Sequence, residues 1–477
     1  MISLENIQFS YGTEEKPVLT DVNLTVGEGE CIVLCGKSGC GKSTILNLIN
    51  GIIPNHVEGR LAGKVTVAGV EPKNVSIQEL SATVGSVFQN PKSQFFSLNS
   101  SDELLFGCCN HKVPRDVMLE RLAETADRFN MRHLLDKNIF NLSCGEKQKL
   151  TCASVYMNRP SVYVFDEPSA NLDAEAIAEL KKVIQTLKAA GNTILVAEHR
   201  LYYLTEVADR FVYLDDGQIV AEFSQAEFGD ISDEERQRLG LRMIAEPMIE
   251  SHLWEQGVGE SALEIESLRC SYGSKLAVSI DNLRLPKNKV IALVGQNGAG
   301  KSTFVAGLCG ILKSKGQVVG DKPLAPKERL KRSFMVMQDV NHQLFAESVL
   351  DELMLGFTFD DEEKIKAAEE LLESLNLLPY KDQHPQSLSG GQKQRTAIAT
   401  ALFTGKRYLI FDEPTSGVDL LHMNRIAELI HGIKEQVDLI LVITHDREFI
   451  NSCCEYLIEL KDGQVVQRKM DDSVMLS

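Results

Sequence analysis

The sequence predicts an α/β chain of two tandem domains, each a mostly parallel sheet with an antiparallel subsheet and a helical subdomain. Three observations carry that prediction. A glycine-rich loop between an apolar run and a helix pattern occurs twice, as Gly36-Lys37-Ser38-Gly39-Cys40-Gly41-Lys42-Ser43-Thr44 and as Gly295-Gln296-Asn297-Gly298-Ala299-Gly300-Lys301-Ser302-Thr303. The later marks return in the same order: Phe165-Asp166-Glu167-Pro168 then His199, and Phe411-Asp412-Glu413-Pro414 then His445. The runs that end at these marks are continuously apolar and alternate with helical patterns, which means strands buried on both faces of a parallel sheet. A repeat this long is a duplicated domain, not a short-period solenoid.

Composition sets the outer bounds. A chain of 477 residues is too long for one core. Its net charge of −17 makes it a poor candidate for unspecific nucleic-acid binding, which needs a basic stripe; a local basic patch stays open, and no nucleic-acid partner is expected. No apolar run reaches the roughly 18–20 residues of a membrane-spanning helix. The start, Met1-Ile2-Ser3-Leu4-Glu5, lacks the basic and apolar regions of a signal peptide, so the chain reads as cytosolic. The 11 cysteines contain no C-x-x-C pair. Cys31, Cys35 and Cys152 lie in apolar strands or helices, and reduced, buried thiols are expected there. Core packing is expected for the adjacent pairs Cys108-Cys109 and Cys453-Cys454 as well.

Taken in order, each half opens with a strand pattern that ends in an aromatic, Phe9-Ser10-Tyr11-Gly12 and Cys270-Ser271-Tyr272-Gly273. The runs Cys31–Cys35 and Val290–Val294 lead into the two loops. The first half then makes an excursion, residues 52–82, whose Gly and Val content reads as an antiparallel subsheet. Helical patterns follow at Val117–Phe129 and from Asp361, the latter with an acidic first turn. The strands Val162–Phe165 and Tyr408–Phe411 end at Asp-Glu-Pro, and Thr193–Ala197 and Leu439–Thr444 lead to the histidines. The acidic segment 224–260 reads as a linker packed on the first half, between domains at 1–223 and 261–477.

The loops have the spacing G-x-x-x-x-G-K-S of a phosphate-binding loop. Their glycines let successive N–H groups curl around phosphates, and the helix start adds partial positive charge. Lys42 and Lys301 would reach the β- and γ-phosphates, and Ser43 and Ser302 would ligate Mg²⁺. Asp166 and Asp412, at strand ends, can hold Mg²⁺ through water. Glu167 and Glu413 can polarise the attacking water as general bases.

Leu388-Ser389-Gly390-Gly391-Gln392-Lys393-Gln394-Arg395 resembles the signature motif of ABC-type ATPases, and the resemblance covers both halves. It implies two P-loop NTPase domains that use ATP and Mg²⁺, forming an intramolecular head-to-tail sandwich. Gln89 and Gln338 match the Q-loop glutamine, which contacts Mg²⁺ and water. Ser169–Asp173 and Thr415–Asp419 match the D-loop, and His199 and His445 match the switch histidine at the γ-phosphate. Tyr11 and Tyr272 match the aromatic that stacks on adenine, beside a plain reading as core aromatics. In the sandwich, the first loop faces Ser389–Gln392, and the second faces the irregular Ser143-Cys144-Gly145-Glu146. That second site is expected to be slowed, because a carboxylate near a triphosphate is unfavourable unless paired. Lys147 is the partner expected for Glu146.

The segments after the Q-loop glutamines, with Gln94 and Phe95 in one half and Gln343, Leu344 and Phe345 in the other, resemble those of energy-coupling factor importers with fused ATPase domains. There they help to form a groove for a coupling helix; ordinary packing is the alternative. The Glu198-His199-Arg200-Leu201 segment agrees with that branch. The resemblance implies a transmembrane coupling subunit and a substrate-binding membrane subunit as partners, at the cytoplasmic face of the cell membrane, for uptake of a vitamin or metal ion. The alternative class is a soluble twin ATPase acting on the ribosome, usually marked by a long charged linker or an iron–sulfur domain. A fused sugar-importer ATPase typically loses the second loop's lysine, whereas Lys301 is intact, and a DNA-repair ATPase would need large zinc-bearing insertions.

Overall fold

The structure is a computed structural model that describes residues 2–12, 16–254, 259–338, 340–358 and 361–466. The chain divides into two compact units, Met1–Glu246 with Gly417–Leu421, and Pro247–Ser416 with His422–Ser477.

The first unit holds two sheets. β1 (Ile2–Tyr11) pairs antiparallel with β2 (Leu19–Val26) on one side and β4 (Gly59–Val67) on the other. The excursion at 52–82 therefore supplies one strand of the antiparallel sheet, not the whole of it. The rest of it turns helical at Ile52–Asn55, Pro72–Asn74 and Ile77–Leu80. Local chemistry explains the difference: Pro72 starts one turn, and Ser76 with Glu79 closes a capping box on the next.

The main sheet contains β3 (Cys31–Gly36), β5 (Val84–Val87), β6 (Val162–Asp166), β7 (Thr193–Ala197), β8 (Arg210–Asp215) and β9 (Gln218–Ser224). Its order is β5-β6-β7-β3-β8-β9, parallel except for the β8–β9 hairpin at one edge. The apolar strands still obey the two-residue alternation. Cys31, Val33 and Cys35 join a core with the helices Cys144–Tyr156 and Ala174–Ala189, while Ile32 and Leu34 join Ile2, Leu4, Ile45 and Leu46 on the other face. Because β6, β7 and β3 are neighbours with parallel direction, the loops at their C-terminal ends come side by side, where open α/β sheets carry their sites.

The region beyond β9 is more than a linker. Helices Gln225–Gly229 and Asp233–Arg238 start at serine caps, Ser224 and Ser232. Phe228 is fully buried and stacks on Phe211 with centroids 3.8 Å apart. Tyr213 Oη donates to Leu239 O at 2.8 Å, and Leu239 and Leu241 join the first core. From Pro247 the chain belongs to the second unit, where Asn451 Nδ2 donates to Met248 O and Leu253 is buried.

The second unit repeats the plan. β10 (Ser261–Tyr272), β11 (Lys275–Pro286) and β13 (Ser314–Val319) form the antiparallel sheet. β12 (Val290–Val294), β14 (Ser333–Val336), β15 (Tyr408–Asp412), β16 (Leu439–Ile443), β17 (Tyr456–Lys461) and β18 (Gln464–Val466) form the main sheet in the order β14-β15-β16-β12-β17-β18. A separate helical core gathers Leu353, Leu372, Leu377 and Ala399. The helix expected from Asp361 runs Glu362–Ser374, with Asp361 as its cap.

The cysteines are free thiols, and most are buried. Burial pushes Cys31, Cys35 and Cys152 up to about 12. Cys109 departs from the expected core packing: Cys108 is buried, but Cys109 is exposed one residue round the helix. Among the described residues, no helix is long and apolar enough to cross a membrane.

Candidate functional site

The phosphate-loop spacing depends on two backbone requirements. Gly36 sits at φ 140°, and a Cβ there would lie 2.1 Å from Leu214 O of β8. Gly41 heads the following helix at φ 104°, also left-handed territory that glycine occupies freely. Gly295 and Gly300 repeat both conditions. Ser38 and Gly39, like Asn297 and Gly298, stand exposed on the loop crests.

In the first half the expected residues converge. Lys42 is buried, and its Nζ donates to Gly36 O and Lys37 O, both at 3.0 Å. Ser43 Oγ donates to Asp166 Oδ1 at 2.8 Å across the β3–β6 loop ends. Glu167 follows at φ 43°, a conformation that costs a non-glycine residue energy and clusters at functional sites. Its N–H donates to Ala197 O at 2.9 Å, which fixes the turn against β7. Both carboxylate oxygens are engaged: Gln89 Nε2 donates to Oε2 at 2.7 Å, and His199 Nε2 lies 3.5 Å from Oε1. Burial raises the pKa of Asp166. Burial, then the Glu198 carboxylate, push Glu167 up to about 8 against the pull of Lys42.

Glu198 has no separate part in the sequence beyond the segment Glu198–Leu201. It is buried and accepts hydrogen bonds from Ser169, His199, Arg200 and Tyr203. The available signal was an acid at the end of an apolar strand, directly before the histidine, where the second half has Thr444.

The second half places the same residues differently. Lys301 Nζ donates to Gly295 O at 2.6 Å and lies 2.9 Å from His445 Nε2. Asp412 ends β15 with its pKa raised by burial. Glu413 is strained like its counterpart, at φ 46°, with its N–H on Ile443 O at 2.8 Å. Thr444 Oγ1 donates to Glu413 Oε2 at 3.1 Å, His445 Nε2 lies 3.8 Å from Oε1, and Gln338 Nε2 donates to Ser416 Oγ at 3.4 Å. Ser302 is exposed, and Thr303 is half-buried. Tyr11 is half-buried: its hydroxyl bonds Thr44 Oγ1 at 2.9 Å and its ring stands edge-on to Phe9. Tyr272 is exposed.

The signature segments are helix starts. Ser143 caps Cys144–Tyr156, accepting from Glu146 N at 3.2 Å, while Ser143 N donates to Glu146 Oε2 at 2.8 Å. Ser389 and Gln392 close the same box on Gly390–Phe403. Lys147 does not take the expected place beside Glu146: its Nζ donates to Phe140 O at 3.4 Å. Burial raises the Glu146 pKa, but the Ser143 bonds, with Lys137 and His133, outweigh it and hold it below the usual carboxylate range. Cys144 and Ser389 are exposed, and Gly145 and Gly391 are half-buried.

The proposed groove residues also sort themselves. Gln94 turns back into its own loop, donating to Ser86 O at 2.8 Å and accepting from Phe88 N. Gln343 does the same with Met335 O and Met337 N. Phe95 packs against the first core and Leu344 is buried. The aromatics left outward are Phe96, which sequence reasoning omitted, and Phe345, 74% and 77% exposed. Each is presented by a buried glutamate: Glu103 accepts from Phe96 N and Ser97 N, and Glu352 from Phe345 N and Ala346 N.

The family model described as "ABC transporter" matches residues 19–170 and 278–416. A chain of Treponema denticola, provisionally named an ABC transporter ATP-binding protein, is 39% identical over 475 residues, covering 98% of this chain and 96% of that one. A Bacillus subtilis chain, provisionally named HMP/thiamine import ATP-binding protein YkoD, is 32% identical over 496 residues, covering 97% and 90%. Among solved structures, one titled RNase-L Inhibitor matches with a TM-score of 0.63 at 23% identity, covering 97% of this chain and 90% of that one, a likeness of fold.

Proposed function

This chain belongs to the ABC transporter family, whose ATPase domains bind and hydrolyse ATP, and on that premise we propose that it is the motor subunit of an energy-coupling-factor-type importer, powering uptake of a vitamin or metal ion through separate membrane subunits. The observation that carries the hydrolytic part of this reading is the constellation around Glu167, with Gln89 on one carboxylate oxygen and His199 beside the other. The import reading is supported by the name of the Bacillus subtilis relative and by the exposure of Phe96 and Phe345 in the two corresponding loops.

In the first half, the backbone N–H groups of the loop and Lys42 hold the phosphates. Ser43 and Asp166, whose oxygens already meet at 2.8 Å, suit a hard cation with oxygen ligands and would hold Mg²⁺. Magnesium, when bound, neutralises phosphate charge. Glu167 accepts a proton from the attacking water as the γ-phosphoryl group passes to it, and ADP leaves. Its raised pKa suits a base working near neutral pH. Gln89 and His199 aim it. Glu413, Gln338, His445, Lys301, Ser302 and Asp412 take the parallel roles in the second half.

Glu167→Gln is expected to abolish most turnover and Glu413→Gln to leave more, because the resemblance associates Glu413 with the irregular Ser143–Glu146 segment. Phosphate release at saturating ATP measures both, and equal losses would refute the asymmetry. The importer role is tested by isolating the chain with its native partners. Recovery with membrane subunits is expected; recovery with ribosomes and no membrane partner would overturn the role while leaving the ATPase.

A further inference from the structure

Glu198 directly follows β7 and precedes His199, and the residue is 2% exposed. Four donors converge on it: Ser169 N at 3.3 Å, His199 N at 2.8 Å, Arg200 N at 3.1 Å and Tyr203 Oη at 2.9 Å. A buried carboxylate is tolerated only with such satisfaction. The buried Arg200 grips the same turn from its carbonyl side, with Nη1 donating to Ser169 O at 3.4 Å and Leu172 O at 3.1 Å. The turn that follows Glu167 is thus held at an N–H by one side chain and at two carbonyls by the next but one. The second half does not repeat this. Thr444 and Asp446 occupy the two places, Thr444 Oγ1 bonding Glu413 directly and Asp446 Oδ2 accepting from Thr415 Oγ1 at 2.7 Å.

We propose that Glu198 is a positioning residue for ATP hydrolysis in the first half: its carboxylate locks the turn after Glu167 to the backbone of His199, so that the histidine and the general base keep their mutual geometry. It acts through these protein groups and not on the reacting atoms. The proposal rests on the reading of Glu167 as the general base.

The test uses the full chain carrying Glu413→Gln, so that the remaining turnover reports the first half. If Glu167→Gln in that background leaves turnover intact, the general-base reading fails, independently of Glu198. Glu198→Gln keeps the shape but can accept through one oxygen only. It is expected to lower kcat roughly ten- to a hundredfold, as loss of charge-assisted bonds would, with KM for ATP and the thermal midpoint held. An unchanged kcat, or a raised KM with kcat held, overturns the proposal. If that variant fails to fold, Tyr203→Phe removes one donor from the same carboxylate. A lower kcat at constant KM then supports the lock, and an unchanged kcat overturns it.

Discussion

At the residue scale, Glu167 ties chemistry to stability. Its pKa stands at about 8 in the folded chain, raised chiefly by burial and then by Glu198. A raised folded-state pKa means that the native state holds its proton more tightly than the unfolded chain. The associated stability is complete below the ordinary carboxylate value and is lost as pH rises to about 8. Glu167→Gln should therefore raise the thermal midpoint of the nucleotide-free protein more at pH 9 than at pH 5, measured by calorimetry; a midpoint difference independent of pH would refute it. The identity of Asp166, Glu167, Lys42 and His199 as a set was legible because residue type, strand end and order all recur in the second half. Glu198 was not, because the contact that ties it to the turn after Glu167, from Ser169 N, forms only when β6 and β7 lie side by side in the fold.

At the element scale, the irregular signature segment turns out to be a sound helix start. Glutamate at position 146 closes the capping box with Ser143 as Gln392 does with Ser389, so the helix loses nothing by the exchange. Ser143→Ala should cost about 1 kcal/mol of stability, read from chemical denaturation. Glu146→Gln should leave the midpoint nearly unchanged while turnover is preserved or raised; a large loss of turnover would mark the carboxylate as a working adaptation. The sequence showed the S-x-x-E spacing but suggested Lys147 as the partner, because charge is visible in a string and a backbone N–H is not. The groove loops carry the same lesson. Gln94 and Gln343 look like contact residues in the sequence, yet their amides repair their own loops, and the outward aromatic is two residues further on in each.

At the scale of the whole molecule, the duplicated α/β plan was readable from continuous apolar strands and repeated marks. One placement escaped, and a second was legible only in outline. The antiparallel sheet draws β1 and β2 from the chain start, a pairing between distant segments that local composition in residues 52–82 cannot display. The acidic stretch after β9 hides Phe228, Leu239 and Leu241, too sparse to form an apolar face until they meet the main sheet. Phe228→Ala should destabilise the first unit by about 3–5 kcal/mol, seen as a lowered first unfolding transition; a loss below about 1 kcal/mol would return that stretch to linker status. The divergent bonding at Glu198 and Thr444 has an evolutionary consequence. Once a doubled gene holds its two strained acids by different means, the copies stop being spare parts for each other. Three of the four donors to Glu198 are backbone N–H groups, which no substitution retunes, so a change at 198 has only the Tyr203 side chain to answer it, whereas one at 444 faces the side chain of Glu413. Exchanging these short segments between the halves is therefore expected to lower turnover in both.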